Sequence, residues 1–192
     1  MINRIPKCKC CRTRFIPKFK FMKFCLQNAE CEMAAIQFGI AEVKKKSERD
    51  WQKEKKVLKE KLKTLSEYEK EAKVFFQHWI RIRDNSKGYD CISCGAKITI
   101  PTSDGSHYYN ANQFSGLIFD ENNCHASCQK CNRFEGGRLL DYREGLIARY
   151  GIEYLNELES KKETHRNYKY SKGELIEIKN KYQKLISKFK SK

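Results

Sequence analysis

The chain has 192 residues, and its 40 Lys and Arg against 24 Asp and Glu leave a formal charge of +16 and a pI near 9.4. Only 40% of the residues are apolar types, which at this length excludes a large multidomain architecture and an extensive core. A charge of this size suits a polyanionic partner, nucleic acid before any other.

No apolar run reaches the roughly 18 residues that a membrane span requires, and Met1 to Cys8 leads straight into cysteines without the apolar stretch of a signal peptide. A cytoplasmic protein with reduced thiols and no membrane partner is therefore expected. In that setting its ten cysteines are zinc ligands before they are disulfides.

Residues 1–40 are expected to form an N-terminal zinc-binding module. Cys8 and Cys11 are two residues apart, and Cys25 and Cys31 follow after thirteen more, so four thiolates stand in two pairs. Phe15, Pro17, Phe19 and Phe24 between them are candidates for its small core, and Cys10 is the spare thiol. A module this short is not held by apolar burial alone, which makes a structural Zn²⁺ part of the fold.

Residues 41–86 lack Gly and Pro and are rich in Lys, Glu, Leu and Ala, which predicts long helix. Leu58, Leu62, Leu65, Ala72, Phe75, Phe76 and Trp79 recur at helical steps as one buried stripe. The charged stretch 42–57 is either a solvated helical linker or partly disordered.

Residues 87–160 begin with a change of texture to Cys, Gly, Asn and Ser. Lys97 to Ile100 and Leu117 to Phe119 suit short strands and loops, and helix resumes at Leu139 after Gly136 and Gly137. Cys91 and Cys94, followed by Gly95, form one zinc half-site, and Cys128 and Cys131 form another 33 residues later.

Residues 161–192 carry eleven Lys or Arg against three acids, as residues 1–31 carry eight against one. The two ends are thus candidate arms for a phosphate backbone. Ser171 and Glu174 make a capping box ahead of Leu175, Ile178, Tyr182, Leu185 and Phe189 at helical spacing.

Between the second pair of half-sites lie more ligand-type side chains than a structural ribbon needs: Asp104, His107, Asn123, His125 and Asn132. An imidazole titrates near neutrality, so a histidine of this group can serve as a general base. Asp104 precedes Gly105 and has a turn role as its alternative, Asn132 a helix cap, Asn123 a loop brace, and His125 a packed ring. Arg133, Arg138 and Arg143 are candidate phosphate clamps or a solvated helix face. Cys124 alternates away from His125 along a strand and is not a nucleophile.

Cys91 to Gly95, His107, Asn123 and Cys131-Asn132 together resemble the His-Asn-His (HNH) nuclease pattern. More narrowly, Ile80-Arg81, Arg83-Asp84, His107-Tyr108, Phe119 to Asn132 and Tyr142 to Gly151 resemble the NinG recombination proteins of lambdoid phages, also called Rap. The resemblance implies an α+β fold: a small zinc-stapled ββα module flanked by long helices, with the N-terminal four-cysteine knuckle. It also implies a recombination endonuclease in the cytoplasm of a bacterial host. Such an enzyme would bind branched DNA such as Holliday junctions or D-loops and hydrolyse it with Mg²⁺ or Mn²⁺, beside two structural Zn²⁺ ions.

The resemblance makes His107 the candidate general base; in that family an acidic metal ligand immediately precedes the base, whereas Ser106 does so here. Asp104 lies three residues upstream, and a bulge at Gly105 would let it reach the ion. The competing reading is a non-catalytic zinc-dependent nucleic-acid-binding protein. Paired nicking of a junction would suit a homodimer, and the helix ending at Trp79 is one source of an interface.

Overall fold

A computed structural model describes residues 5–191. The chain divides after Leu62 into two compact units. In the first, a loop module is closed by an antiparallel bridge between Lys7 and Arg14 and leads into helix α1, Ala29–Leu62. Its core is Cys8, Phe15, Met22, Phe24, Cys25 and Cys31, against which Ala34, Ala35 and Phe38 of α1 pack. Phe19 is exposed and Met22 takes the inner place expected of it. The helix thus starts inside the cysteine module, with Cys31 in its first turn, and it continues unbroken through the charged stretch 42–57.

The Gly- and Pro-free run is nevertheless two helices. Helix α2 is Leu65–Ser86, and Thr64 caps it, its hydroxyl accepting from the Glu67 N–H while the Glu67 carboxylate accepts from the Thr64 N–H. Two orphan donors are satisfied reciprocally, which makes a new helix start competitive with continuing the old one. The expected single stripe is split accordingly: Leu58, Leu62 and Leu65 are exposed, whereas Tyr68, Ala72, Phe76 and Ile80 form the buried i,i+4 row.

In the second unit a two-stranded antiparallel hairpin pairs β1, Ser103–His107, with β2, Cys124–Cys128, in a register running from Ser103 opposite Cys128 to His107 opposite Cys124. The runs 97–100 and 117–119 are not strands. The first is turn and loop, and a 3-10 turn at Ser115–Leu117 leads into the second. Beyond β2 come a π-helical turn, Lys130–Phe134, then α3, Leu139–Tyr150, α4, Ile152–Ser160, and α5, Lys172–Lys190.

Strand alternation gives the hairpin two faces. Cys124 packs with Phe76 and Ile80 of α2 and Tyr182 of α5, while His125 meets Tyr142 and Tyr150 of α3 and Tyr154 of α4. The unit is therefore helix-rich, with a minimal sheet held between α2 with α5 and α3 with α4. The basic C-terminal segment is a core element: Leu175, Tyr182 and Ile186 of α5 are buried, and the expected Ser171–Glu174 capping box starts the helix.

Candidate functional site

The cysteines gather in two groups, Cys8 with Cys11, Cys25 and Cys31, and Cys91 with Cys94, Cys128 and Cys131, and in each all four sulfurs lie within 4.8 Å of one another. Tetrahedral Zn–S bonds of about 2.3 Å require sulfurs roughly 3.8 Å apart. The Cys8–Cys31 and Cys11–Cys25 separations are 3.7 Å and that of Cys94–Cys128 is 3.8 Å. Both groups can therefore hold a metal ion of zinc's size and preference.

The two knuckles are built alike. In the second, the Gly95 N–H returns to the Cys91 carbonyl at 3.0 Å, and the Cys91 N–H donates to Ala96. The first repeats this with Arg12 onto Cys8 at 3.1 Å and Cys8 onto Thr13. The corner is left-handed in both, φ 67° at Gly95 and 63° at Arg12, so the N-terminal knuckle carries an arginine where glycine is unstrained.

Backbone amides also prepare the sulfurs: the N–H of Cys25 points at Cys8 Sγ, 3.3 Å, and that of Cys128 at Cys91 Sγ, 3.2 Å. Burial alone would raise the Cys8 and Cys91 thiols. The amides, with the Ser127 hydroxyl at Cys91, outweigh it and bring each down to about 6. Burial and the neighbouring sulfurs push Cys31 and Cys131 the other way, so the set as a whole ionises only with a cation among it. Cys10 stands outside the first cluster as expected, and Cys124 is fully buried with its thiol raised by burial.

Beside the second cluster, β1, α2 and the π turn enclose a cleft of about 500 Å³ lined by Gln77, Ser106, His107, Asn110 and Asn132. His107 ends β1 with its ring against Phe76, centroids 6.0 Å apart. Its Nε2 lies 2.8 Å from the Ile118 carbonyl. A carbonyl only accepts, so Nε2 carries the proton and Nδ1 keeps a lone pair. Nδ1 has no hydrogen-bond partner among the described residues. Burial holds the imidazole below its ordinary value, against the opposing effect of the Ile118 bond.

Asn132 lies between this cleft and a smaller one lined by Arg81, Asp104 and Gly105. Its Nδ2 donates to Asp104 at 3.1 Å, and Arg133 grips the same carboxylate with Nε at 2.7 Å and NH2 at 2.8 Å. Arg133 first and Asn132 second hold Asp104 below the usual carboxylate range, against its burial. No bulge at Gly105 is involved: Asp104 and Gly105 pair regularly with Ser127 and Ala126. Glycine serves close approach instead, since a Cβ there would sit 3.1 Å from Gln77 Cβ on α2.

Asn123 is fully buried and braces the loop that follows β1. It accepts from the Tyr109 N–H at 2.7 Å and donates to the Tyr109 and Leu117 carbonyls at 3.1 and 3.0 Å. His125 does not join His107, Asp104 and Asn132. It sits on the face of the hairpin opposite His107, with the Tyr142 and Tyr154 hydroxyls on its two ring nitrogens, each at 3.3 Å, and burial first of all keeps it well below its ordinary value. Of its two readings, the packed ring is the one the structure places. Arg138 pairs with Asp141 at 2.7 Å and Arg143 with Glu159 at 3.8 Å. All three candidate phosphate clamps are thus in ion pairs with exposed or half-buried partners, which water weakens enough for exchange onto a phosphate.

Arg83 and Asp84, which the sequence marked only as part of the family resemblance, are supports of the site. At the end of α2, fully buried Asp84 accepts from Arg83 Nε and from the Ala126 N–H, both at 2.7 Å. Arg83 donates to the Glu121 and Cys124 carbonyls, both at 2.9 Å. This pair fastens the open edge of β2 and the loop before it. Removing one partner of such a buried pair costs about 3–5 kcal/mol. Tyr142 completes the scaffold by donating to the Ser106 carbonyl at 2.8 Å.

A family model described as the bacteriophage lambda NinG protein matches residues 3–192. The chain belongs to the NinG family. It is 33% identical to protein ninG of Escherichia phage 933W over 94% of this chain and 91% of that protein. Protein ninG of Salmonella phage P22 is 36% identical over 68% of this chain and 62% of its own length. Its namesake in Escherichia phage lambda is 35% identical over 68% and 61%. No solved structure matches this NinG chain. Among the described residues, no helix of this NinG chain is long and apolar enough to cross a membrane.

Proposed function

We propose that this NinG-family chain is a divalent-metal-dependent endonuclease that acts on branched DNA, such as Holliday junctions or D-loops, in the host cytoplasm. The observation that carries the reading is His107: its Nε2 is tied to a backbone carbonyl, and its ring lines a cleft shared with Asn132 and, one side chain on, Asp104. A general base needs a neutral imidazole, and burial favours that form here.

In the proposed reaction His107 Nδ1 takes the proton of a water that attacks the phosphorus. Asp104 and Asn132 offer oxygen donors of the kind a hard cation prefers. Mg²⁺ or Mn²⁺ held there would neutralise charge on the scissile phosphate and the leaving oxygen. The cysteine clusters do not serve this role, since four thiolates fill the shell of a Zn²⁺ ion and leave no position for a water. Arg133 would exchange Asp104 for a phosphate when DNA binds. The preference for branches rests on the likeness to the lambdoid recombination proteins.

One observation favours a second reading, a non-catalytic zinc-dependent DNA binder: both Asp104 oxygens already face Arg133. The test is incubation of the zinc-loaded chain with labelled four-way junctions, D-loops, duplex and single strands, with and without Mg²⁺ or Mn²⁺. Cleavage of the branched substrates only when either ion is added supports the nuclease. Tight binding with no cleavage in either ion overturns it in favour of the second reading.

A further inference from the structure

Helix α1 is apolar on two opposite sides. Cys31, Ala34, Ala35 and Phe38 pack on the cysteine module. Roughly half a turn away, Met33, Ile36, Ile40 and Val43 point outward, and Leu58 and Leu62 extend the same side to the helix end. Each of these six is more than half exposed, as is Trp51, which lies between them. At 100° per residue they fall within an arc of about 100°, the width of a core-facing stripe and not of scattered surface residues.

The charge on α1 is polarised along its length. Residues 29–43 hold Glu30, Glu32 and Glu42 and no Lys or Arg, whereas residues 44–62 hold nine Lys or Arg against four Asp or Glu. A parallel pair of such helices would set its basic halves side by side. An antiparallel pair sets each acidic half against a basic one, the complement that a second copy running the other way supplies. The midpoint of the stripe is Ser47, small enough for two helices to cross closely. About that point Met33 of one copy comes opposite Leu62 of the other, and Ile36 comes opposite Leu58. The polar Ser47 and Glu54 interrupt the stripe, as residues that specify one register do.

We infer that the exposed face of α1 is a homodimer interface, two copies packing antiparallel through Met33–Leu62. Association of the zinc-loaded full chain is measured by sedimentation equilibrium, with Trp51 emission as a second readout that shifts to the blue as the stripe leaves water. The double variants Met33→Glu/Leu62→Glu and Met33→Glu/Leu62→Lys separate orientation from mere apolarity. The first sets like charges opposite each other and should raise the dimer dissociation constant at least about tenfold. The second restores opposite charges across the antiparallel seam and should stay within about threefold of the parent. Circular dichroism and zinc content should be unchanged in both, since neither side chain is buried in the monomer. A parent chain that stays monomeric at tens of micromolar overturns the inference. So does a dimer that neither variant disturbs, or one that both disrupt equally.

Discussion

Replacing Asn123 by Asp changes one NH₂ group to an oxygen and nothing else, which makes it a direct probe of the loop that positions His107. The side chain donates to the Tyr109 and Leu117 carbonyls and accepts from the Tyr109 N–H, all in a fully buried position. Asp retains the acceptor but sets a carboxylate oxygen against two carbonyls. Each of the two carbonyls left unsatisfied costs about 1–3 kcal/mol, so the variant should lose about 2–6 kcal/mol at pH 8. That is a large share of the ~5–15 kcal/mol typical of a domain.

A protonated carboxyl restores one donor, so the folded state raises the pKa of the new group above its unfolded value near 3.9. The native chain then binds the proton more tightly than the unfolded one. Stability accordingly falls as pH rises, by up to about 1.4 kcal/mol per unit, until the folded pKa is passed. Urea unfolding of zinc-loaded protein at pH 6 and pH 8 measures this. The expected result is a deficit at both values that is greater at pH 8. A variant within about 0.5 kcal/mol of the parent at pH 8 would refute the reasoning.

Elemental analysis should find two zinc ions per chain; mild EDTA should stop cleavage reversibly before zinc is lost, and stripping the Cys91–Cys131 site should unfold its unit by circular dichroism. Lys184→Glu with Lys188→Glu, on the exposed side of α5, should make the slope of log affinity against log salt shallower by about 0.9 for each phosphate no longer neutralised, with the melting temperature unchanged. Deleting residues 161–192 should instead unfold the second unit, because it strips Leu175 and Tyr182 from α2. Single-turnover cleavage should rise with pH and level off below the ordinary histidine value of about 6.5, since His107 must be neutral to act and burial favours that form.

What was legible in the sequence was what spacing alone dictates. Both cysteine quartets, the spare Cys10 and the Ser171–Glu174 helix start are local patterns with one geometric solution each. Thr64–Glu67 is the same capping pattern, hidden inside a run whose lack of Gly and Pro argued for continuity. The strands were illegible for a different reason. Ser-Asp-Gly-Ser-His has little intrinsic preference for extended structure, and its place in β1 is set by tertiary contacts: Asp84 and Tyr142 hold the hairpin's backbone, and Gly105 lets α2 pass close. Without that register, the alternation that turns His107 toward α2 and His125 toward α3 could not be assigned. The role of Arg83-Asp84 was illegible because their backbone partners in and before β2 are 38 to 42 residues away in sequence.

The central claim is that His107 is the base of a hydrolytic site and not a packing residue. It is tested most directly by His107→Ala, with zinc content, junction affinity and single-turnover cleavage in Mg²⁺ measured on one preparation. Loss of a positioned base should lower the rate on the order of 10²–10⁴-fold, while zinc content stays unchanged and affinity, which rests on Lys and Arg, stays within a few-fold. Cleavage at the parent rate by a zinc-replete His107→Ala chain would contradict the account.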